Sequence, residues 1–571
     1  MKLQSSFRYK TLSLTNPSLD LAPAESNLNW LTQNKSIQTI LLASLWCVLV
    51  WLAFPKIGWW PLAWVGTAPL IWLTLVEQLP GKRPYLQLLL AGFVYWLVAF
   101  HFVRIPHWLL NFGWLALAGY FSVYTPMFVA ATRTMIHHYK IHPMLAAPIV
   151  WTGIEWMRCN FFTGLGMGML SHSQFQQPTL LQIADLSGAY AVSFMMVLFA
   201  TGITMTLFRY RLATSMVKRF APAVGSCIGL TCVVGYGQYR LTETIEHRTD
   251  KTLNVALIQP SIDVVFRPLS DQERNDRWEQ HRDLTKQARE KWDDLDLIVW
   301  PESSFDSPDL LSDANAEATA AYFISCNQQL YRATNGTAEG DRPNVPLLSG
   351  GSTHDPAKND VFNSAILFST EGRITDRYYK SHLVLFGEYV PFAQWLPFLD
   401  GLTPIGKGLS RGTQFSTMDV ADVKIAPSVC FESCVPHYIR RQVKNLSDQG
   451  SEPDVLINVT NDGWFFGTSC LDLHLASNVF RAIETRKPHL VAANTGFSAQ
   501  IDSCGRLLQT GPRRETGILR ASVQPVKRTS VYLAIGDVVP FVFAMLTLLT
   551  IVLSVRAPKR STTNESIPSE S

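Results

Sequence analysis

Long apolar segments and shorter apolar runs divide the chain into two regions of different character. Eight long segments are apolar: 36–54, 58–76, 85–104, 109–131, 143–158, 188–208, 220–238 and 531–555. A helix of about 20 apolar residues crosses the roughly 30 Å hydrocarbon layer of a membrane. The pattern therefore predicts a multi-pass α-helical membrane domain with eight spans, seven of them within 36–240. The segment 143–158 is short and contains Glu155, so a half-span remains an alternative there.

Lysines and arginines near the ends of these segments predict the orientation of the chain. They concentrate ahead of the first segment and after the second, fourth, sixth and eighth, as in Lys82, Arg83, Arg209 and Arg211. Such residues accumulate on the cytoplasmic side of a membrane. We therefore expect residues 1–35 and 556–571 in the cytoplasm and residues 251–525 outside it. No cleavable signal peptide is evident, and the first segment is typical of a membrane anchor.

The region 251–525 alternates short apolar runs with helical stretches. The runs lie at 253–259, 295–300, 345–351, 361–368, 423–430, 454–460 and 489–495, and the helical stretches at 271–292, 313–331 and 470–486. Near-continuous apolar strands are typical of a sheet covered on both faces. The pattern predicts an α/β domain, in which reactive residues collect at the ends of strands.

Composition narrows the possible functions. The 571 residues are 47% hydrophobic, and the net charge of +4 gives no indication of a nucleic-acid or acidic partner.

Five of the nine cysteines fall within 251–525: Cys326, Cys430, Cys434, Cys470 and Cys504. Their odd number leaves at least one thiol unpaired, and any disulfides stay open. The spacing of Cys430 and Cys434 allows a zinc or redox site, but no CxxC and no matching pair of histidines accompanies it.

Three strand ends of this region carry candidate reactive residues. Glu302 follows the run 295–300, Lys380 follows the sequence RITDRYY, and Cys430 closes the run 423–430. Taken alone, a glutamate in a loop is more often a solvated carboxylate, a lysine more often a surface charge, and a cysteine at the end of a strand more often a small core residue. A thiol becomes a nucleophile when a base removes its proton and a cation stabilises the negative charge. The three residues together would suffice for acyl transfer.

The motifs around these residues resemble those of a known superfamily. VWPES (299–303), YYKSHLVLFGEYVPF (378–392) and PSVCFES (427–433) are similar to the Glu, Lys and Cys motifs of nitrilases. Nearly the whole chain resembles their membrane branch, the apolipoprotein N-acyltransferases, including NVTNDGWFFGTS (458–469), NTGFSAQID (494–502) and SVYLAIGDVVP (530–540). The resemblance implies an αββα sandwich for 251–525.

The resemblance also implies roles for individual residues. Glu302 would be the general base, Lys380 the group that stabilises the transition state and Cys430 the nucleophile, with Glu388 and Glu432 in support. The apolar loops 382–399 and 461–467 are candidates for a lid or for lipid contacts, and core packing is an equally open alternative. The aromatic candidates include Phe431, which follows the proposed nucleophile. They are Phe386, Phe392, Trp395, Phe398, Phe431, Trp464 and Phe465. No metal or organic cofactor is expected.

The implied reaction has two lipid substrates. A phospholipid would donate an acyl chain to the cysteine, and the N-terminal amine of a diacylated apolipoprotein would accept it. Leu385, in place of a proline, and SNVFRAIE (477–484) depart from the family pattern and leave the catalytic set intact. Two alternatives remain: a membrane-anchored amidohydrolase acting on a small amide, and a transporter or lipid-binding protein with an inactive outer domain. The preferred phospholipid, the route of the acceptor and the oligomeric state stay open.

Overall fold

The computed structural model describes most of the chain between residues 37 and 556. Within that range it leaves out 209–214, 266, 268, 306–344, 356–359, 371–372, 391–394 and 396–407. The predicted segment 1–35, all but the first residue of the tail 556–571, the predicted helix 313–331, Cys326, Phe392 and Phe398 therefore lie outside the described residues.

The apolar N-terminal region is helical, as predicted. Its helices are α1 (Gln38–Ala53), α2 (Ala63–Gly66), α3 (Ala68–Leu75), α4 (Pro84–Ala99), α5 (Leu110–Ser122), α6 (Tyr124–Arg133), α7 (Pro143–Asn160), α8 (Pro178–Leu181), α9 (Ala184–Ser187), α10 (Ala189–Phe208) and α11 (Met216–Thr242). Among the described residues, three helical segments are long and apolar enough to cross a membrane: Leu110–His138, Ala189–Phe208 and Met216–Thr242. The four other apolar helices are shorter, so the number of spans stays a prediction.

The last apolar segment, predicted as one span over 531–555, is divided in two. Gly536, at φ 64°, separates α15 (Val531–Ile535) from α16 (Val538–Arg556). Helix α16 packs against α7, where a Cβ added to Gly153 would lie 2.7 Å from the carbonyl oxygen of Phe543. The C-terminal helix therefore joins the N-terminal bundle through a close backbone contact that a larger residue at this position would disrupt.

The region between the two groups of helices contains two six-stranded sheets. The first has the order β12-β1-β2-β3-β4-β5 and the second the order β11-β10-β9-β8-β7-β6. The strands are β1 (Leu253–Gln259), β2 (Leu297–Phe305), β3 (Leu347–Asp355), β4 (Asp360–Phe368), β5 (Ile374–Tyr379), β6 (Met418–Val420), β7 (Val423–Val429), β8 (Val455–Thr460), β9 (His489–Ala493), β10 (Ala499–Ile501), β11 (Leu507–Thr510) and β12 (Gly517–Val523). The seven predicted runs and RITDRYY correspond to β1–β5 and β7–β9.

The sheets pack face to face, and helices cover their outer faces. One core joins Leu257 and Val299 of the first sheet to Ile425 and Val459 of the second. Helix α12 (Asp271–Lys291) covers the outer face of the first sheet, whereas α13 (Pro436–Asp448) and α14 (Cys470–Thr485) lie on the second. Each sheet is therefore covered on both faces, as the apolar strands predict, and the two sheets with their helices form the αββα sandwich that the resemblance implies. Burial on both faces gives a strand a continuous apolar run, whether a sheet or a helix covers each face.

The sandwich contacts the N-terminal bundle through buried polar groups. Arg486, just after α14 and at φ 55°, donates to the Asp185 carboxylate at 2.5 Å and to the Gln182 side chain at 2.7 Å. The backbone N–H of Ala189 donates to Glu484 at 2.8 Å. Because a buried charge that loses its partner is costly, these pairs fix the sandwich against the bundle.

Candidate active site

Glu302 lies in β2 at a buried position, 6% exposed. Its Oε1 accepts a hydrogen bond from the Asn363 amide at 2.7 Å, and its Oε2 accepts one from the backbone N–H of Asn461 at 2.8 Å. The neighbouring strand leaves no space behind it, because a Cβ added to Gly350 would lie 2.5 Å from the Glu302 Cα. The carboxylate is therefore held in one orientation by groups from both sheets.

Lys380 follows β5 and is 1% exposed. Its Nζ lies 2.7 Å from Oε1 of Glu388 and 3.6 Å from Oε1 of Glu302. The other oxygen of Glu388 accepts the backbone N–H of Val384 at 2.9 Å. The amide of Asn363, 3.1 Å from Glu388, bridges the two carboxylates. Two carboxylates and one ammonium thus form a closely spaced buried group.

Cys430 follows β7 at a sharp turn and has φ 52°. A left-handed backbone at a non-glycine residue is strained and persists only where the surroundings fix it. Here the Cys430 carbonyl oxygen accepts from the Asn458 amide at 3.2 Å and from the Ser433 hydroxyl at 3.3 Å, and lies 3.1 Å from Nε2 of His474. Three side chains therefore hold the turn that carries the thiol.

The electrostatics of the site favour a neutral thiol beside a strong base. Burial, followed by the charge of Glu302, raises the pKa of Cys430 well above its usual value, although Lys380 lowers it. Burial also raises the pKa of Glu302, against the opposing effect of Lys380. Burial lowers the pKa of Lys380, but Glu388, Glu302 and Cys430 outweigh it, so this pKa lies above the usual range. These shifts favour a neutral thiol at Cys430, and Glu302 and Lys380 are the charged groups that act on it most strongly.

Glu432 connects the lysine and cysteine segments. The carboxylate is fully buried and accepts hydrogen bonds at 2.7–3.0 Å from the backbone N–H groups of Ser381, His382 and Val429 and from the hydroxyl of Tyr378. Burial raises its pKa, and the backbone N–H groups oppose that shift. Glu432 therefore holds the residues that follow Lys380 against the residue that precedes Cys430.

The structure adds two features that the sequence did not indicate. Asn363 contacts both carboxylates, yet an asparagine in a strand gives no signal of its own. The second feature is a buried pair behind the nucleophile, in which Nδ1 of His474 lies 2.8 Å from the Asp462 carboxylate and Nε2 lies 2.9 Å from the Ser433 hydroxyl. Burial lowers the pKa of His474, but Cys434 and Asp462 outweigh it and hold the pKa well above its usual value. The imidazolium then donates toward the Cys430 carbonyl.

Four of the five described aromatic candidates occupy different surroundings. Phe386 is 39% exposed in a turn at φ 59°, and Trp395 is 70% exposed. Phe431 is half-buried, with its ring centroid 5.9 Å from that of His382, and Trp464 is half-buried in the turn Asp462–Phe465. The exposure of Phe386 and Trp395 fits a lipid contact, whereas Phe431, next to Cys430 in the chain, packs against His382.

Phe465, predicted with the lid residues, contacts the bundle instead. Its ring packs edge-on against Phe102 with centroids 5.7 Å apart. The cysteines of the described segments are free thiols, Cys434, Cys470 and Cys504 among them. Within these same segments no group of three or more histidine, cysteine, aspartate or glutamate side chains is placed to hold a metal ion.

Two family models match the chain in succession. The apolipoprotein N-acyltransferase N-terminal domain matches residues 46–202, and the carbon-nitrogen hydrolase domain matches residues 254–532. An apolipoprotein N-acyltransferase of Geobacter metallireducens is 31% identical over 509 residues, which cover 87% of this chain and 92% of the relative. The chain belongs to the apolipoprotein N-acyltransferase family.

Other members of the apolipoprotein N-acyltransferase family match over a similar length. Those of Rhodopirellula baltica and Vibrio cholerae are each 28% identical, covering 87% and 86% of this chain and 93% and 92% of the relatives. A solved nitrilase-superfamily protein of Saccharomyces cerevisiae covers 49% of this chain and 93% of its own, with 16% identity and a TM-score of 0.35. The family membership identifies the chain as an acyltransferase with a carbon-nitrogen hydrolase domain and does not favour the amidohydrolase alternative.

Proposed function

We propose that the protein transfers an acyl chain from a phospholipid to the α-amino group of the N-terminal diacylglyceryl cysteine of apolipoproteins. The observation that carries the proposal is the buried group of Lys380, Glu302 and Glu388 beside a thiol at a strained turn. Each residue has a chemical task in acyl transfer, and the family membership supplies the class of substrate.

In the first step the Cys430 sulfur attacks the ester carbonyl of the phospholipid while Glu302 accepts the thiol proton. The developing oxyanion lies near the ammonium of Lys380, which stabilises it. The tetrahedral intermediate collapses to a thioester, and the glycerol oxygen leaves as a lysophospholipid after taking the proton from Glu302. Glu388 holds the ammonium at 2.7 Å and keeps it charged throughout.

In the second step the neutral amine of the apolipoprotein attacks the thioester carbonyl. Glu302 accepts a proton from the amine, the amide bond forms, and the thiolate leaves and regains that proton. A thioester is more open to attack by an amine than the original ester is, so the covalent intermediate divides one difficult transfer into two easier ones. Water has to be kept from the site, because it would hydrolyse the thioester.

The proposal includes a place in the cell. Both substrates keep their acyl chains in a bilayer, so the thiol has to lie at the level of the lipid headgroups. We infer eight spans in a bacterial inner membrane, with residues 251–525 on the periplasmic side and both termini in the cytoplasm. The charge pattern of the loops and the packing of α16 against α7 support this arrangement.

Mass spectrometry of the acyl-enzyme tests the reaction. The detergent-purified full chain is incubated with a defined phospholipid and no acceptor, beside Cys430→Ala and, as the matched control, Cys434→Ala. We expect a hydroxylamine-sensitive acyl mass on the Cys430 peptide of the parent and of Cys434→Ala, absent from Cys430→Ala. A diacylated lipopeptide with a free amine should discharge it and become triacylated.

Two outcomes would contradict the proposal. A folded protein whose Cys430 stays unmodified would exclude the covalent step. An acyl group that is lost to water and never to the lipopeptide would indicate a hydrolase.

A further inference from the structure

The helical bundle contains a partly open cavity whose lining residues have no role in the reaction steps above. It has a volume of about 60 Å³ and lies between α1, α3, α4, α6 and α7. Most of its walls are aromatic or aliphatic, including Trp46, Tyr95 and Phe128, and two of its lining residues, Glu155 and Arg158, are ionisable. A volume of this size has room for several water molecules or for one compact polar group.

Arg158 is the unusual member of this lining. Its side chain is 3% exposed, and among the described residues neither terminal nitrogen has a hydrogen-bond partner and no carboxylate lies within ion-pair distance. The guanidinium lies 5.2 Å from the ring centre of Trp96. Glu155 lines the same cavity but forms no ion pair with Arg158 among the described residues; its Oε1 accepts the backbone N–H of Leu170 at 2.8 Å, and its Oε2 has no hydrogen-bond partner there. A buried guanidinium with free donors aimed into a cavity is a site for an anion.

The cavity lies close to the nucleophile. Arg158 is in the last turn of α7, and the loop that follows lies against the Cys430–Cys434 turn, where a Cβ added to Gly166 would be 2.2 Å from the carbonyl oxygen of Cys434. Gly168 of the same loop lines the cavity. A short loop therefore separates the guanidinium from the segment that carries the thiol.

We propose that this cavity binds the phosphate of a membrane phospholipid, with Arg158 as the counter-charge and the aromatic walls in contact with the adjoining glycerol and acyl groups. The proposal deepens the proposed function and rests on it. A guanidinium matches phosphate oxygens with two parallel hydrogen bonds, which the two free terminal nitrogens can supply. The apolar walls favour an amphiphile over inorganic phosphate, because most of the lining offers no hydrogen bond to an ion.

Native mass spectrometry with defined lipids tests the site. The detergent-purified Cys430→Ala protein, which cannot turn over, is titrated with dioleoyl phosphatidylethanolamine, dioleoylglycerol or oleate. The same titrations are repeated with a double variant that carries both Cys430→Ala and Arg158→Gln. We expect Arg158→Gln to weaken phospholipid binding about 10- to 100-fold, as the loss of a charged hydrogen-bonding group predicts, and to leave dioleoylglycerol within about twofold. Arg104→Gln is the matched control, because Arg104 is exposed and lies 5.1 Å from the ring centre of Trp114.

The remaining outcomes decide against the site. Unchanged phospholipid binding by Arg158→Gln, or equal losses for phospholipid and dioleoylglycerol, would overturn the proposal. A loss confined to oleate would identify a carboxylate as the occupant and overturn it equally. If Arg158→Gln does not fold, Arg158→Lys keeps the charge without the paired donors, and its phospholipid binding should fall about 3- to 10-fold. Acylation of Cys430 in the parent protein is measured separately, so either proposal can fail without the other.

Discussion

Buried charge is arranged differently in the two halves of the molecule. In the sandwich, Lys380 has Glu388 and Glu302 beside it, and Asn363 joins the two carboxylates. In the bundle, Arg158 is equally buried but has no such partners among the described residues. A reaction centre works best when its charges are in place before the substrate arrives. Under the two proposals above, the sandwich holds a preorganised centre, and the bundle holds a charge that a ligand completes.

The largest effect is expected from Lys380→Met, which removes the shared partner of two buried carboxylates. Leaving them unpaired should destabilise the sandwich by about 3–5 kcal/mol, and losing the ammonium should lower kcat at least about 10²-fold. Thermal unfolding and lipopeptide acylation measure the two losses. The matched control is Lys424→Met, whose ion pair with Asp419 is largely solvated and should contribute at most about 1 kcal/mol. Equal effects of the two substitutions would show that the buried ion pairs of Lys380 contribute no more than the solvated ion pair of Lys424.

Glu302→Gln should lower kcat by about 10²- to 10⁴-fold with little loss of fold, because the amide keeps an oxygen for the Asn363 or the Asn461 bond. In the parent, the carboxylate has to be ionised to accept a proton, and its pKa is raised. Activity should therefore fall as pH falls through a value above the usual carboxyl range. The pH profile of kcat should lose this acid limb in Glu302→Gln. If the acid limb of the kcat profile is unchanged in Glu302→Gln, another group is the general base.

Glu432→Gln tests the connection between the lysine and cysteine segments. The amide retains one acceptor oxygen where the carboxylate has two, so at least one backbone N–H loses its partner. We expect a loss of about 1–3 kcal/mol in stability and a fall in kcat, because reacting groups displaced by a fraction of an ångström react slowly. Thermal unfolding and kcat are compared with those of Glu452→Gln, a half-exposed residue paired with Lys487. Full activity in Glu432→Gln would show that the connection does not position the centre.

The smallest effect is expected at His474, which contacts the carbonyl of the nucleophile and not its sulfur. His474→Leu should slow acylation of Cys430 about 2- to 10-fold, the equivalent of one hydrogen bond, and should lower the melting temperature because the buried Asp462 carboxylate loses its partner. His474→Gln can still donate to the same carbonyl and should recover most of the rate. If His474→Gln is as slow as His474→Leu, the charge of the imidazolium matters more than its hydrogen bond.

The sequence predicts the central strands well because their chemistry is local. The run Val455–Thr460 is buried along its whole length and reads as a strand, and the helix predicted at 271–292 is observed as Asp271–Lys291 behind the capping residue Ser270. Short edge strands such as Met418–Val420 and Leu507–Thr510 were missed, since three or four residues carry no periodic signal. The helix Pro436–Asp448 was missed as well.

The sequence likewise predicts some residues of the candidate site and misses others. Glu302, Lys380 and Cys430 stand out because reactive residue types end predicted strands, and the structure brings Glu302 and Lys380 within 3.6 Å. Asn363 and His474 act through contacts between segments far apart in the chain, which no local pattern records. The apolar pattern alone also does not show that two sheets pack face to face. A strand buried against a sheet and a strand buried against a helix both give a continuous apolar run.

The carboxylate of Glu432 has one further consequence. Because Glu432 joins the lysine segment to the nucleophile segment, the proposed centre should keep one geometry while the two lipids bind in turn. The same rigid surface has to serve an ester in one half of the cycle and a thioester in the other. Discrimination between lipids then belongs to residues outside this centre, and an altered preference for acyl length could be engineered without changing the chemistry.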